Sequence, residues 1–409
     1  MRFLFNTVYY KPARGGGGPV LSVSSLAEAL VRRGHNVVVA ASDLDIPGRI
    51  LVECGRDIEI EGVMVRYFSA QRTLLQRTGI PAFAKATVFR FGAEFGAWLD
   101  AIGPRCDVIH SHISYLWSNW PCSVYAQRHR KVYLYHQRGN LDPARLKRGR
   151  WKKMVYLWLR ERPIMRRADA LIALTLREVE TYRALGLSNR VEVIPNGFDE
   201  SAVLRPVSAG GRLNALFTAL QEAPLLLFLS RIHPVKNPEI FVEAFIQAAR
   251  ANPNIHAMLA GPDEANMVAN LLNRVRSAGL IDRFHYVGAL YGDEKNAALR
   301  RADCFVLPTE AEGFSMALLE ALAAECVVLT TKGACFPEIE TVGAGKILEP
   351  TANDFAQAIQ QIIGDGRTAM KLMGAKGREL VRSKYSWDQV AARYEALCLE
   401  LHVGGKNRG

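Results

Sequence analysis

Glu312 and Glu320 lie eight positions apart in the stretch P-T-E-A-E-G-F-S-M-A-L-L-E-A, residues 308–321. An apolar, strand-like run, Cys304-Phe305-Val306-Leu307, precedes them, and a helix follows. Gly313, Phe314 and Ser315 form the joint. A helix start carries unpaired N–H groups and the positive end of the helix dipole, so the joint can hold an anion such as a diphosphate. Glu312 then reaches a group beside that anion. Glu320, about two turns further on, can accept hydrogen bonds from a diol. A sugar nucleotide offers sugar, diphosphate and ribose in that order. Taken alone, the stretch also reads as a helix with one N-terminal charge and one surface charge.

A second anion site precedes it. The buried-strand run 225–229, L-L-L-F-L, leads straight into Ser230-Arg231-Ile232-His233-Pro234-Val235-Lys236. In an open α/β sheet, ligands bind beyond the carboxyl ends of strands. Arg231 offers a fork for phosphate oxygens and Lys236 a point charge. Alone, the pair reads as two solvated cations on a loop. Beside the two glutamates it reads as the other half of a phosphate site.

These segments resemble the C-terminal half of the retaining glycosyltransferases of family 4. The resemblance rests on S-R-I-H-P-V-K-N from Ser230, A-G-P-D-E at 260–264, F-V-L-P-T-E-A-E-G-F-S-M-A-L-L-E-A-L-A at 305–323 and I-P-N-G-F-D at 194–199. The stretch Y-H-Q-R-G-N-L at 135–141 looks like members that build exopolysaccharide and other surface glycans. The likeness spans nearly the whole chain. It departs at Ser315, where the family usually has glycine. It implies an α/β protein of GT-B architecture, two Rossmann-like domains with parallel sheets facing across an interdomain cleft. It also implies metal-independent transfer of a hexosyl group, with retention, from a UDP- or GDP-linked sugar. The acceptor would be a glycan or a lipid-linked saccharide in surface polysaccharide synthesis. No cofactor is expected beyond the nucleoside-diphosphate sugar as co-substrate. Arg231, Lys236, Glu312 and His112 are the expected catalytic residues.

The length of 409 residues suits two or three domains, and the apolar content of 49% suits ordinary cores. No apolar run approaches the ~18 residues of a membrane-spanning helix. The start, M-R-F-L-F-N, reads as a first strand rather than a secretory leader. The seven cysteines are scattered without a C-x-x-C pair, and no His/Cys spacing suggests zinc.

The net charge of +12 is concentrated. Ten Lys or Arg residues fall between Arg145 and Arg167 against one acid, Glu161. Apolar residues at 151, 154, 155 and 158 give helical spacing among these cations. A basic amphipathic helix of this kind suits an anionic membrane surface. Lys147, Arg148, Lys152 and Lys153 would supply the charge and Trp151 and Trp158 the insertion. The alternative is a surface helix whose apolar face joins the core. The expected location is cytoplasmic, peripheral at the inner face of the cell membrane, with no nucleic-acid partner.

Strands alternate with helices in both halves, which predicts parallel α/β layers. The expected divisions are an N-terminal acceptor domain over 1–200, a linker over 201–222 rich in Pro and Gly, and a nucleotide-sugar domain over 223–384. A C-terminal helix over 385–409 would cross back to the first domain, as in the family. In the first half, Gly15-Gly16-Gly17-Gly18 lies between the first strand and first helix. Gly16, Gly17 and Gly18 let backbone N–H groups approach donor or acceptor closely. It also reads as a plain turn. Alternation puts His110 and His112 on one side of a strand. By the resemblance, His112 contacts the donor sugar, while His110 reads as structural. His136 and Arg138 end the next strand as donor or acceptor contacts. Two other readings stay open: another GT-B enzyme, such as a sugar-nucleotide epimerase or a phosphorylase, or a non-catalytic basic protein of membranes or nucleic acid.

Overall fold

The computed structural model describes residues 1–13, 18–45, 48–72, 89–141, 154–205 and 211–406. The chain forms two compact units, one of Met1–Gly197 with Trp387–Gly409 and the other of Phe198–Ser386.

The first unit is built on an eight-stranded sheet. From one edge its strands run Arg190–Val193, Ala170–Ala173, Val132–His136, Val108–His112, Arg2–Asn6, Asn36–Ser42, Val63–Phe68 and Asp57–Ile60. All neighbours are parallel except the last pair, a hairpin at the edge. The chain winds outward in one direction from Arg2–Asn6 and then starts the other half at Val108–His112. The switch point lies between these two strands, so their carboxyl ends border a crevice suited to ligands. Helix Gly18–Arg32 buries Val23, Leu26, Ala27 and Leu30 in a core that Val390, Ala391, Tyr394, Leu397 and Cys398 of helix Trp387–Lys406 complete.

The second unit holds six parallel strands in the order Phe284–Gly288, His256–Ala260, Leu225–Leu229, Cys304–Leu307, Val327–Thr331 and Gly345–Leu348. Leu225–Leu229 and Cys304–Leu307 are unbroken apolar runs because helices cover both faces of a central parallel strand. Here too the winding reverses between adjacent strands, Leu225–Leu229 and Cys304–Leu307. The Arg231/Lys236 loop and the Glu312 loop leave the carboxyl ends of these two strands.

Two expectations need correction. Residues 201–222 are not a linker. Ser201–Leu204 and Gly211–Leu220 are helices of the second unit, and Val203, Leu213 and Leu220 are buried in its core. The Pro and Gly residues that suggested a linker fall between the helices or at a helix start. The basic segment is also not one stripe. Met154 packs on the core and Leu157, Ile164 and Met165 are buried, while Val155, Trp158 and Leu159 face outward. The inward positions Met154, Leu157, Glu161 and Ile164 keep one helical face through a π-helical turn over Leu157–Glu161, which leaves Val155, Trp158 and Leu159 outside it. Lys147, Arg148, Trp151, Lys152 and Lys153 lie outside the described residues, as do Gly16 and Gly17.

Candidate functional site

Hydrogen-bonded links stitch together the two loops at the switch point of the second unit. Glu310 N–H donates to Val235 O at 2.8 Å, and Asn237 Nδ2 donates to Pro308 O at 2.9 Å. Lys236 Nζ meets Glu312 Oε1 at 2.5 Å, with side chains only 9% and 13% exposed. A buried pair of this kind is held in place by its partners, because either charge left alone would be costly. His233 caps the short turn Pro234–Lys236 by accepting from Val235 N–H. Lys236 is thus fixed at both backbone and side chain.

Arg231 is placed by a close backbone approach. Gly261 has φ 147°, and a Cβ there would sit 1.7 Å from Ser230 O. Ile232 N–H donates to Pro262 O at 2.9 Å, and the Arg231 guanidinium pairs with Glu264 at 2.9 Å. Both side chains are well exposed, so the pair is weak and an incoming anion can take the guanidinium from Glu264.

Ser315 is the N-cap of helix Met316–Ala323, with extended backbone and no side-chain cap bond. Its buried hydroxyl leaves the first N–H groups of the helix without a capping acceptor. Gly313 and Phe314 precede it. The Phe314 ring lies 6.0 Å from Phe336 and 6.1 Å from Tyr385, so this residue offers backbone rather than ring to the joint. Glu320, one turn into the helix, pairs with Lys295 at 2.7 Å. In the sequence Glu264 appears only as the end of A-G-P-D-E, with no role assigned, and Lys295 is not singled out. Lys295 looks like a solvated charge in G-D-E-K, and only the packing of helix Gly292–Arg301 brings it to Glu320.

In the first unit, parallel register sets His112 opposite His136. His110 and His112 share one side of their strand with ring centroids 3.8 Å apart. All three imidazoles are buried, and burial first and the Arg138 charge next hold His110 and His136 well below the usual range. Burial, His110 and Arg138 do the same for His112. Arg138, with φ 51°, donates from Nε to His112 Nδ1 at 3.2 Å and from Nη1 to Ser22 Oγ and Asn196 Oδ1 at 2.7 and 3.0 Å. Asn196 belongs to the I-P-N-G-F-D segment, which explains its place beside the cluster. Gly18 opens the helix that carries Ser22.

The three histidines bring nitrogens suitable as metal ligands within 4.8 Å of one another. The donor set does not suit a cation. Since Arg138 donates to Nδ1 of His112, the ring hydrogen lies on Nε2, the atom a metal would need bare. The guanidinium adds repulsion. The cluster instead presents neutral imidazoles with Nε2 atoms that have no partner.

These groups predict acid sensitivity. His35, His110, His112, His136, His256 and His285 all titrate lower in the fold than at 6.5, and His285 falls to about 4. Between those values and 6.5 the unfolded chain binds more protons, so stability is lost as pH falls. Glu161 works the other way in the same window, because burial pushes its carboxyl up to about 7. Six groups against one make acidification destabilising. The melting temperature should fall steadily from pH 7 to pH 5. A flat or rising profile would mean the buried histidines accept protons within the fold.

Comparison with known proteins follows the same two halves. Residues 217–379 match the family Glycosyl transferases group 1, and residues 17–197 match the Glycosyl transferase 4-like domain. A D-inositol 3-phosphate glycosyltransferase of Streptomyces bingchenggensis is 25% identical over 344 residues, 81% of this chain and 74% of that protein. A lipopolysaccharide 1,2-N-acetylglucosaminetransferase of Salmonella typhimurium is 26% identical over 216 residues, 50% of this chain and 55% of that protein. Among solved structures, the sucrose-phosphate synthase of Thermosynechococcus elongatus superposes with a TM-score of 0.69 at 20% identity, covering 98% of this chain and 99% of that one. The Anabaena protein HepE in complex with UDP gives 0.70 at 17% identity, covering 98% and 100%.

Proposed function

The chain belongs to the family 4 glycosyltransferases of GT-B fold, and from that premise we propose a retaining, metal-independent hexosyltransferase. It moves the sugar of a UDP- or GDP-linked donor to a glycan or lipid-linked acceptor in surface polysaccharide synthesis. The observation that carries this reading is the buried Lys236–Glu312 pair on two stitched loops beside an uncapped helix start.

Breaking the glycosidic bond builds negative charge on the departing diphosphate. Lys236, Arg231 and the N–H groups at Phe314–Ser315 stabilise that charge as it grows, and donors already in place lower the barrier without reorganising. Glu312 holds Lys236 in position until the donor arrives. Glu320 takes the ribose hydroxyls, with Lys295 keeping its carboxylate oriented. His112, neutral and hydrogen-bonded through Nδ1, offers Nε2–H to the donor sugar. Among the described residues no second carboxylate is placed as a covalent nucleophile, so in this reading the acceptor proton passes to the leaving phosphate on the same face of the sugar.

A thermal-shift panel of UDP-, GDP-, ADP- and TDP-sugars tests the donor class, because a ligand that binds only the folded state raises the melting temperature. No shift with any of them would sink the reading. Glu320→Ala should weaken binding of the matching nucleoside diphosphate by roughly 1–3 kcal/mol, the scale of hydrogen bonds to a charged group. Unchanged affinity by titration calorimetry would remove Glu320 from the ribose role.

We also place the outward Val155, Trp158 and Leu159, with the cations around them, against an anionic membrane surface at the cytoplasmic face. Support comes from their exposure of 49%, 48% and 73%. No described helix is long and apolar enough to cross a membrane.

A further inference from the structure

The carboxyl end of the second unit's sheet carries a cavity that the donor reading leaves unused. Its volume is about 400 Å³, within the roughly 300–1,000 Å³ of ligand sites. Its walls come from the ends of three neighbouring strands, Cys304–Leu307, Val327–Thr331 and Gly345–Leu348, with the loops that follow them, and from the start of helix Pro238–Ala251. None of Arg231, Lys236, Glu312, Ser315 or Glu320 lines it. The donor residues extend the other way. Lys295, the partner of Glu320, lies on helix Gly292–Arg301, which follows strand Phe284–Gly288 at the opposite edge of the sheet.

The cavity nevertheless shares backbone with the donor site. Thr309 and Glu310 lead into Glu312, whose N–H donates to Gly333 O at 2.9 Å. Gly333 makes this approach possible, since a Cβ there would sit 2.3 Å from Glu310 O. The side chains of the cavity offer mostly acceptors. The Glu310 carboxylate is exposed and has no partner among the described residues. Asn237 uses Nδ2 on Pro308 O and caps nothing with Oδ1. Thr309 and Thr331 donate their hydroxyls to Val235 O and Thr309 O, which leaves them lone pairs only. Lys332 is the exception. It pairs with Glu349 at 3.2 Å, but both side chains are well exposed, so the pair is weak and opens to a ligand. Ile240, Leu348 and Pro350 add apolar surface.

Such a lining does not suit a phosphate or a nucleotide, which bring acceptors of their own. Among the described residues no three metal-ligating side chains converge here, and the Lys332 ammonium repels a cation. A saccharide matches it. Sugar hydroxyls donate, one carboxylate accepts from two vicinal hydroxyls, and the C–H face of the ring suits an apolar wall. We propose that this cavity binds a neutral saccharide segment of the glycan, separate from the sugar being transferred, with Glu310 and Glu349 as its hydroxyl acceptors. The lining sets the ligand class, and its identification with the glycan rests on the glycosyltransferase reading.

Maltose, cellobiose and N,N′-diacetylchitobiose serve as probes, titrated against the full chain by saturation-transfer NMR. Glu310→Ala with Glu349→Ala removes both carboxylates, and because both are exposed the melting temperature should hold. At least one disaccharide should receive saturation from the wild type and keep it under saturating UDP or GDP. The double variant should bind that disaccharide at least tenfold more weakly, with nucleoside diphosphate affinity unchanged. No transfer to any of the three, displacement by nucleotide, or equal binding by the double variant each overturns the saccharide site. The last result would seat the disaccharide elsewhere on the protein. Failure of the wild type to bind any nucleoside diphosphate would sink the glycosyltransferase reading instead, and the disaccharide arms would still decide the cavity.

Discussion

Lys236→Ala slows sugar transfer roughly 10²–10³-fold, the loss expected when one preorganised donor to a developing charge is removed. The variant also leaves Glu312 nearly buried without its partner. Breaking a buried pair costs about 3–5 kcal/mol, so a fall in melting temperature will accompany the fall in rate. Lys236→Ala combined with Glu312→Gln separates the two effects. The double variant should recover much of the melting temperature and none of the turnover. Recovery of turnover would make Lys236 a structural residue. The same assay tests the metal-free mechanism. EDTA should leave the wild-type rate nearly unchanged, and loss with EDTA restored by Mg²⁺ or Mn²⁺ would contradict it.

Reversing Lys147, Arg148, Lys152 and Lys153 to glutamate should release the protein from anionic vesicles. Each Lys or Arg near such a surface contributes about 1 kcal/mol, and reversal replaces attraction with repulsion at four positions. The exposed Trp158 and Leu159 offer only a small apolar insertion against that. Activity on a short soluble acceptor should survive, because Arg231, Lys236, Glu312 and Glu320 lie in the other unit. Activity on a lipid-linked acceptor should fall. If wild type and variant both remain in the soluble fraction during flotation, the segment has no membrane role.

The central strands were legible because a parallel strand covered on both sides must be apolar throughout, as in L-L-L-F-L and C-F-V-L. Two of the edge strands were not. Asp57–Ile60 and Gly345–Leu348 are half exposed and carry Asp, Glu, Gly or Lys, so nothing in their composition separates them from loops. The linker expectation failed because Pro206, Gly210 and Gly211 outweighed the spacing of Leu213, Leu216 and Leu220. At the site, residues contiguous with a strand end were readable: Arg231, Lys236, Glu312 and Glu320. Their partners Glu264 and Lys295 depend on helix packing and loop approach, which spacing does not encode. The pairing of His112 with His136 depends on strand register, 24 positions apart in sequence.

The first unit is interrupted in the chain, and this bears on how the protein is made. Residues 1–197 are synthesised before Phe198–Ser386, yet one of their cores lacks Val390, Ala391, Tyr394, Leu397 and Cys398 until that whole second unit has been made. Phe198–Ser386 is continuous and can close as soon as it emerges. The unit synthesised first is therefore the last to complete its folding. Until then the apolar face of Gly18–Arg32 waits uncovered, open to chaperones and to premature association with other nascent chains.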